Sequence, residues 1–274
     1  MLFPASFAVL FLLLWALFFA AGPFFERLFA RVANRTAAFR YNDYVPVAAV
    51  LIAGAAVAAL IGNQFVDLAE LVHSRSPELD RVDAAMHAWA AGTRTPGSTA
   101  FFTVMTILGN PPVLAGLALG LSVALALRNH WRWSVYLIAT GLTGGLINLQ
   151  LKAYFARARP DLAEALRQAH GYSFPSGHAM GAVVVFGSAA YVLFRLFTTW
   201  RSRSAALAGS ASLITAIAFS RVYLGVHWIS DIAAGLAAGF VWLLAATLAY
   251  ETFRRIHRVR SMRKARAERI SGGE

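Results

Sequence analysis

The chain has 274 residues, of which 58% are hydrophobic and 14% charged, with a mean hydropathy of +0.58; soluble domains carry about 25% charged residues. This excludes a disordered chain, a collagen-like chain and an ordinary water-soluble globule, and points to a polytopic, all-α transmembrane bundle. The net charge of +12 rests on arginine, Lys152 and Lys264 being the sole lysines, and the absence of cysteine excludes disulfides and thiolate chemistry.

A membrane span needs about 20 apolar residues. Uncharged stretches run over 3–25, 45–66, 95–127, 133–151, 171–194, 204–220 and 232–250, which predicts seven spans. The first lacks a basic start and is too long for the apolar core of a signal peptide, so an uncleaved helix fits better. The third contains Asn110-Pro111-Pro112, which predicts a kink or a short helix before the span proper. Between the second and third, DRVDAAMHAWAA has helical spacing of polar and apolar residues and is read as a helix lying along the outer surface. The pairs Gly116/Gly120, Gly141/Gly145 and Gly235/Gly239 predict close helix packing.

Orientation follows from arginine. The loops 26–44, 128–132 and 195–203 and the stretch after 250 carry most of it, which places them in the cytoplasm. From Glu251 onward, seven arginines and Lys264 face three glutamates, a net +5 that suits anionic lipid headgroups better than nucleic acid. The Asn34-Arg35-Thr36 sequon lies on this cytoplasmic side and is discounted. The organisation read from the sequence is therefore an extra N-terminal helix with a basic loop (1–44), a six-helix core (45–250) and a basic cytoplasmic tail (251–274).

Three polar clusters break the charge pattern, all at the outer face. They are Lys152 with Arg159-Pro160, then Pro175-Ser176-Gly177-His178, then Ser220-Arg221 with His227 and Asp231. Ionisable residues at membrane depth are functional candidates. Two arginines and a lysine offer donors to several oxygens of one anion. Pro-Ser-Gly-His opens an apolar run, so its hydroxyl and the helix-start N–H groups suit phosphate. His227 and Asp231, four apart, share a helix face; the carboxylate can fix the imidazole tautomer and leave one nitrogen free to attack. His178 remains for proton transfer to a leaving oxygen. The chemistry implied is phosphoryl transfer through a phosphohistidine.

The succession Lys-x6-Arg-Pro, Pro-Ser-Gly-His and Ser-Arg-x5-His-x3-Asp resembles the three signatures of the type 2 phosphatidic acid phosphatase family, with every motif position filled over about residues 45–250. The resemblance implies a six-helix core and a reaction needing neither metal nor cofactor. It implies His227 as nucleophile, Asp231 as its orienting partner and His178 as general acid. Lys152, Arg159, Arg221, Ser176 and Gly177 would bind phosphate, with Pro160, Pro175 and Ser220 in support. The reading is a phosphatase of lipid phosphate monoesters or pyrophosphates in a bacterial inner membrane, acting at the periplasmic face with a cytoplasmic C-terminus. Phosphatidic acid, phosphatidylglycerol phosphate, polyprenyl pyrophosphate and lipid A phosphate are all open as substrates, as is the oligomeric state. A lipid phosphotransferase with the same residues is the alternative; a non-catalytic lipid binder or transporter would not need the His178/His227/Asp231 set. Arg157 and Arg167 are read as snorkelling residues, and Tyr172, Phe174, Tyr223 and Trp228 as interfacial anchors.

Overall fold

The computed structural model describes residues 9, 12–21, 24, 45–161 and 165–271, and only the backbone at 45–50, 258–260 and 262–271. The Asn34 sequon and the arginines of 26–44 lie outside the described residues. Among those described, all regular structure is helical. The helices are α1 (Leu12–Ala21), α2 (Val45–His73), α3 (Pro77–Gly92), α4 (Pro96–Leu108), α5 (Pro111–Leu127), α6 (Trp131–Phe155), α7 (Gly177–Leu196), α8 (Trp200–Tyr223) and α9 (Ile229–Ser271). Leu51–His73, α6, α7, α8 and Ile229–His257 are long and apolar enough to cross a membrane, and α4 and α5 form a pair bent by 58°. The chain is an integral membrane protein.

The bend has a local cause. Pro111 and Pro112 lack backbone N–H groups, so they cannot continue a helix from α4 but can begin one. Asn110 stands before them in extended conformation as the N-cap position of α5. α4 packs along the last part of α8. At its start, Ser98 Oγ lies 2.5 Å from the buried Tyr223 hydroxyl at the end of α8. Past its other end, Asn110 reaches His178 at the start of α7. The 17 residues of α5 alone then run to the far end, about 25 Å. The sequence expectation of a short helix before the span proper matches this break.

α7 is the centre of the bundle, packed against α6, α8 and α9. Its contact with α9 is close because Gly235 and Gly239 face it: a Cβ on Gly235 would come within 2.7 Å of Ser176 O, and one on Gly239 within 2.8 Å of Val183 Cβ. The other two glycine pairs correct the sequence reading. A Cβ at Gly116, Gly120, Gly141 or Gly145 would meet nothing within 4 Å among the described residues, so these pairs do not serve helix contacts there. Phe174 and Tyr223, read as interfacial anchors, are both 0% exposed and belong to the core. Phe174 packs with Phe65 and Phe155 beneath the polar end, and Tyr223 packs on Phe102.

α6, α8, α7 and α9 place the three motifs at the same end because α6 and α8 finish there while α7 and α9 begin there. The opposite end is marked by α1, where the Trp200 indole donates to Phe18 O and Phe19 O at 2.9 and 3.0 Å. These carbonyls sit in the last turn of an apolar helix, where the intrahelical ladder leaves acceptors over.

Candidate active site

Two tight turns aim the motifs. Ala156 adopts a left-handed conformation (φ 43°) and stops α6, so the chain turns at once into Arg157–Pro160. Gly225 (φ 78°) does the same after α8 and delivers His227 to the start of α9. A hydrogen bond from Ser176 N–H to Asp231 O (2.9 Å) fastens the Pro-Ser-Gly-His segment to that same helix start. Ser176 caps α7, its hydroxyl accepting from Ala179 N–H, and the Phe174–Pro175 peptide is cis.

His227 is 2% exposed, and Asp231 is 0% exposed. The imidazole Nδ1 lies 3.1 Å from Asp231 Oδ2, and Nε2 lies 3.1 Å from Arg159 Nη1. A guanidinium can only donate, so Nε2 must carry the lone pair; an ionised carboxylate can only accept, so Nδ1 carries the hydrogen. The tautomer is thereby fixed with the nitrogen that carries the lone pair toward the Arg159 guanidinium. Burial foremost, then the positive fields of Arg221, Arg159 and Lys152, hold the His227 pKa well below its ordinary 6.5. The imidazole is neutral at physiological pH.

The cations are arranged in advance. Arg159 donates to Gly171 O (2.9 Å), His170 O (3.1 Å), Tyr172 O (3.2 Å) and Val226 O (2.8 Å). Burial lowers its pKa, partly offset by Asp231, yet a guanidinium stays charged in a protein. Lys152, in the last turn of α6, donates to Tyr172 O (2.7 Å) and Ser173 O (3.3 Å). Arg221 reaches Thr106 Oγ1 at 2.5 Å, while its buried Nε has no hydrogen-bond partner among the described residues. Such an unmet donor is costly in the absence of an anion. His178 Nε2 lies 2.9 Å from Asn110 Oδ1. Gly177 sits where a Cβ would be 3.6 Å from Lys152 Cε, so the start of α7 and the lysine are neighbours.

Some sequence readings need adjustment at this site. The Ser220 hydroxyl donates to Ile217 O in its own helix at 2.6 Å, so it supports α8 rather than facing the cations. Pro160 and Pro175 are buried scaffold. Arg157 is not a snorkelling residue: its guanidinium bridges Asp231 Oδ1 and Asp83 Oδ2, both at 2.8 Å, and lies over the Trp228 ring. The sequence does not single out Asp83 and Thr106 as neighbours of the site, and marks Asn110 for a helix break rather than for its contact with His178. The one signal available for Asp83 was an acidic residue at the apolar face of the amphipathic helix α3.

Apolar helices surrounding a preset cluster of cations, with a neutral imidazole at its floor, define an integral membrane phosphatase. The profile of the PAP2 superfamily matches residues 129–255. Phosphatidylglycerophosphatase B of Bacillus subtilis (strain 168) is 30% identical over 181 residues, 65% of this chain and 86% of that protein. Lipid A 4'-phosphatase of Porphyromonas gingivalis is 29% identical over 99 residues, 33% of this chain and 39% of that protein. The crystal structure of the transmembrane PAP2 type phosphatidylglycerolphosphate phosphatase from Bacillus subtilis matches with a TM-score of 0.64 and 27% identity, covering 69% of this chain and 94% of that one. The chain belongs to the PAP2 superfamily.

Proposed function

We propose that this protein hydrolyses the phosphate monoester or pyrophosphate of a membrane lipid, at the outer face of a bacterial inner membrane, through a phosphohistidine on His227. The observation that carries the reading is the fixed tautomer of His227, with a bare Nε2 among Arg159, Arg221 and Lys152. A phosphoryl group entering the site exchanges its oxygens for the imidazole as the partner of Arg159 Nη1 and so unmasks Nε2. Nε2 then forms a bond to phosphorus as the P–O bond to the lipid breaks, and His178 gives a proton to the departing oxygen. Asp231 accepts from Nδ1–H throughout and balances the positive charge on the phosphohistidine. In the second step water attacks phosphorus, His178 takes back a proton, the N–P bond breaks and inorganic phosphate leaves. The guanidinium groups and Lys152 neutralise the charge building on the equatorial oxygens, as a metal ion does in other phosphatases.

The orientation rests on charge. Arg128, Arg132, Arg195, Arg201, Arg203, Arg254 and Arg255 all belong to the end opposite the motifs, which the positive-inside rule assigns to the cytoplasm. A substrate anchored in the outer leaflet then presents its headgroup at the level of the motifs. Phosphatidylglycerol phosphate heads the substrate list, on the likeness to the Bacillus subtilis enzyme. The test is phosphate release by purified protein from phosphatidylglycerol phosphate, phosphatidic acid, a polyprenyl pyrophosphate and a lipid A phosphate, with chelator present. His227→Ala is expected to release no phosphate from any of them; release at the wild-type rate overturns the assignment. Free phosphate, rather than a phosphorylated acceptor lipid, separates hydrolysis from transfer.

A further inference from the structure

Asp83 lies on α3, outside the three motifs and outside the matched residues 129–255. It is 2% exposed. Its Oδ1 accepts from Ser230 N–H at 3.0 Å, and its Oδ2 accepts from the Ser230 hydroxyl at 2.6 Å and from Arg157 Nη2 at 2.8 Å. Arg157 Nη1 in turn donates to Asp231 Oδ1 at 2.8 Å and to Ser230 Oγ at 2.7 Å. Asp231 Oδ2 accepts from Trp228 N–H at 3.0 Å, beside its bond to His227. Asp83, Arg157, Asp231 and His227 thus form one hydrogen-bonded line out of α3.

The charges along this line matter. Asp231 helps the reaction only if its negative field reaches the imidazole as positive charge grows there. Arg157 alone would cancel that field. Asp83 offsets Arg157, so the trio keeps one net negative charge next to an imidazole that among the described residues also faces the cations Lys152, Arg159 and Arg221 and the ring of His178. Resting on the assignment of His227 as nucleophile, we propose that Asp83 is a positioning residue for the reaction: through Arg157 it holds the Asp231 carboxylate in place and preserves its negative field at His227. The same carboxylate also satisfies a first-turn N–H of α9, which is a purely structural task. Asparagine keeps that acceptor and removes the charge, so Asp83→Asn separates the two tasks.

The experiment uses the full-length protein in detergent with dioctanoyl phosphatidic acid, comparing wild type with D83N, R157Q, D83N/R157Q and R157K, and with H227A as control. D83N is expected to lower kcat about tenfold or more with little change in KM, the effect of one unit charge within a protein interior. Loss of a negative charge disfavours the imidazolium, so the acidic limb of kcat/KM moves to lower pH. D83N/R157Q restores the net charge of the wild-type line and is expected to be more active than R157Q. R157K keeps the charge but cannot bridge two carboxylates, and should also lose kcat with KM kept; it serves if D83N does not fold. D83N or R157K with wild-type kcat, an unmoved acidic limb in D83N, or losses that simply add in the double variant overturn the inference. Turnover by H227A instead overturns the nucleophile assignment on which it rests.

Discussion

At the scale of single residues, the candidate site is a set of cations held by backbone carbonyls, and the tautomer of His227 is set by what its neighbours cannot do. Arg159 cannot accept and Asp231 cannot donate, so His227 is left with one usable lone pair. Its pKa has a consequence for the pH profile. On the proposed role of His227 as nucleophile the attacking form is the neutral imidazole, and the folded pKa is depressed below 6.5 by burial and by Arg221, Arg159 and Lys152. The neutral form therefore persists as pH falls through 6.5, and the acidic limb of kcat/KM from this group lies below that value. Replacing Arg221 by methionine removes one of the depressing fields and should move the limb upward while slowing turnover. A pH series on both proteins checks the sign; a limb that moves downward contradicts the electrostatic account. The motif residues were legible in the sequence because each signature is short, and the spacing of four between His227 and Asp231 brings their side chains together. Arg157 and Asp83 were not, because their pairing joins residues 74 apart and exists only after α3 folds back on α9.

At the scale of helices, the decisive features are the breaks. Gly225 carries φ 78°, and a Cβ there would stand 2.9 Å from Arg94 Nη2 and 3.4 Å from Ala165 Cα. Gly225→Ala must therefore strain the turn that presents His227. A stability loss of about 1 kcal/mol or more, with a larger fractional fall in kcat than in folded protein, is expected from thermal unfolding and turnover measured together. The break between α4 and α5 likewise positions side chains at the candidate site. It sets Thr106, in the last turn of α4, against Arg221, and Asn110, the N-cap of α5, against His178. Gly109 between them has no room for a side chain, since a Cβ would come within 2.4 Å of Ile217 Cγ2 and 2.8 Å of His178 Cδ2. Asn110→Ala frees the His178 ring and, on the general-acid assignment, should slow hydrolysis of an alkyl phosphate more than that of an aryl phosphate with a good leaving group. Equal losses on both would argue that Asn110 serves the fold and not the proton transfer. Two prolines announced this break in the sequence; what they could not announce was which side chains its flanks would meet, because that depends on Tyr223 and His178 across the bundle. The glycine pairs show the opposite limit. Gly-x3-Gly marks a smooth helix face, and only a partner decides whether the face is used; Gly235/Gly239 meet α7, while Gly141/Gly145 meet nothing within 4 Å among the described residues.

At the scale of the whole molecule, the arrangement is an asymmetric bundle with the three motifs at one end and Arg128, Arg132, Arg195, Arg201, Arg203, Arg254 and Arg255 at the other. α9 spans both: it begins beside Asp231 and runs unbroken for 43 residues to Ser271, far beyond the roughly 20 that a bilayer needs. The basic stretch after Glu251, read from the sequence as a separate tail, is therefore a helical continuation of the last span. Toward that end Glu251 gathers Tyr191, Arg195 and Arg254, with Arg254 over the Trp133 ring, which joins α6, α7 and α9. Orientation is testable without altering any of this, because the chain has no cysteine and each introduced thiol is the sole target. Gln168 is exposed in the loop beside Arg159 at the motif end, and Thr198 is exposed in the turn between α7 and α8 at the other. In intact spheroplasts a membrane-impermeant maleimide should label Gln168→Cys and spare Thr198→Cys, and lysis should make both reactive. The reverse pattern would put the motifs in the cytoplasm, and with them the leaflet from which a lipid phosphate could be drawn.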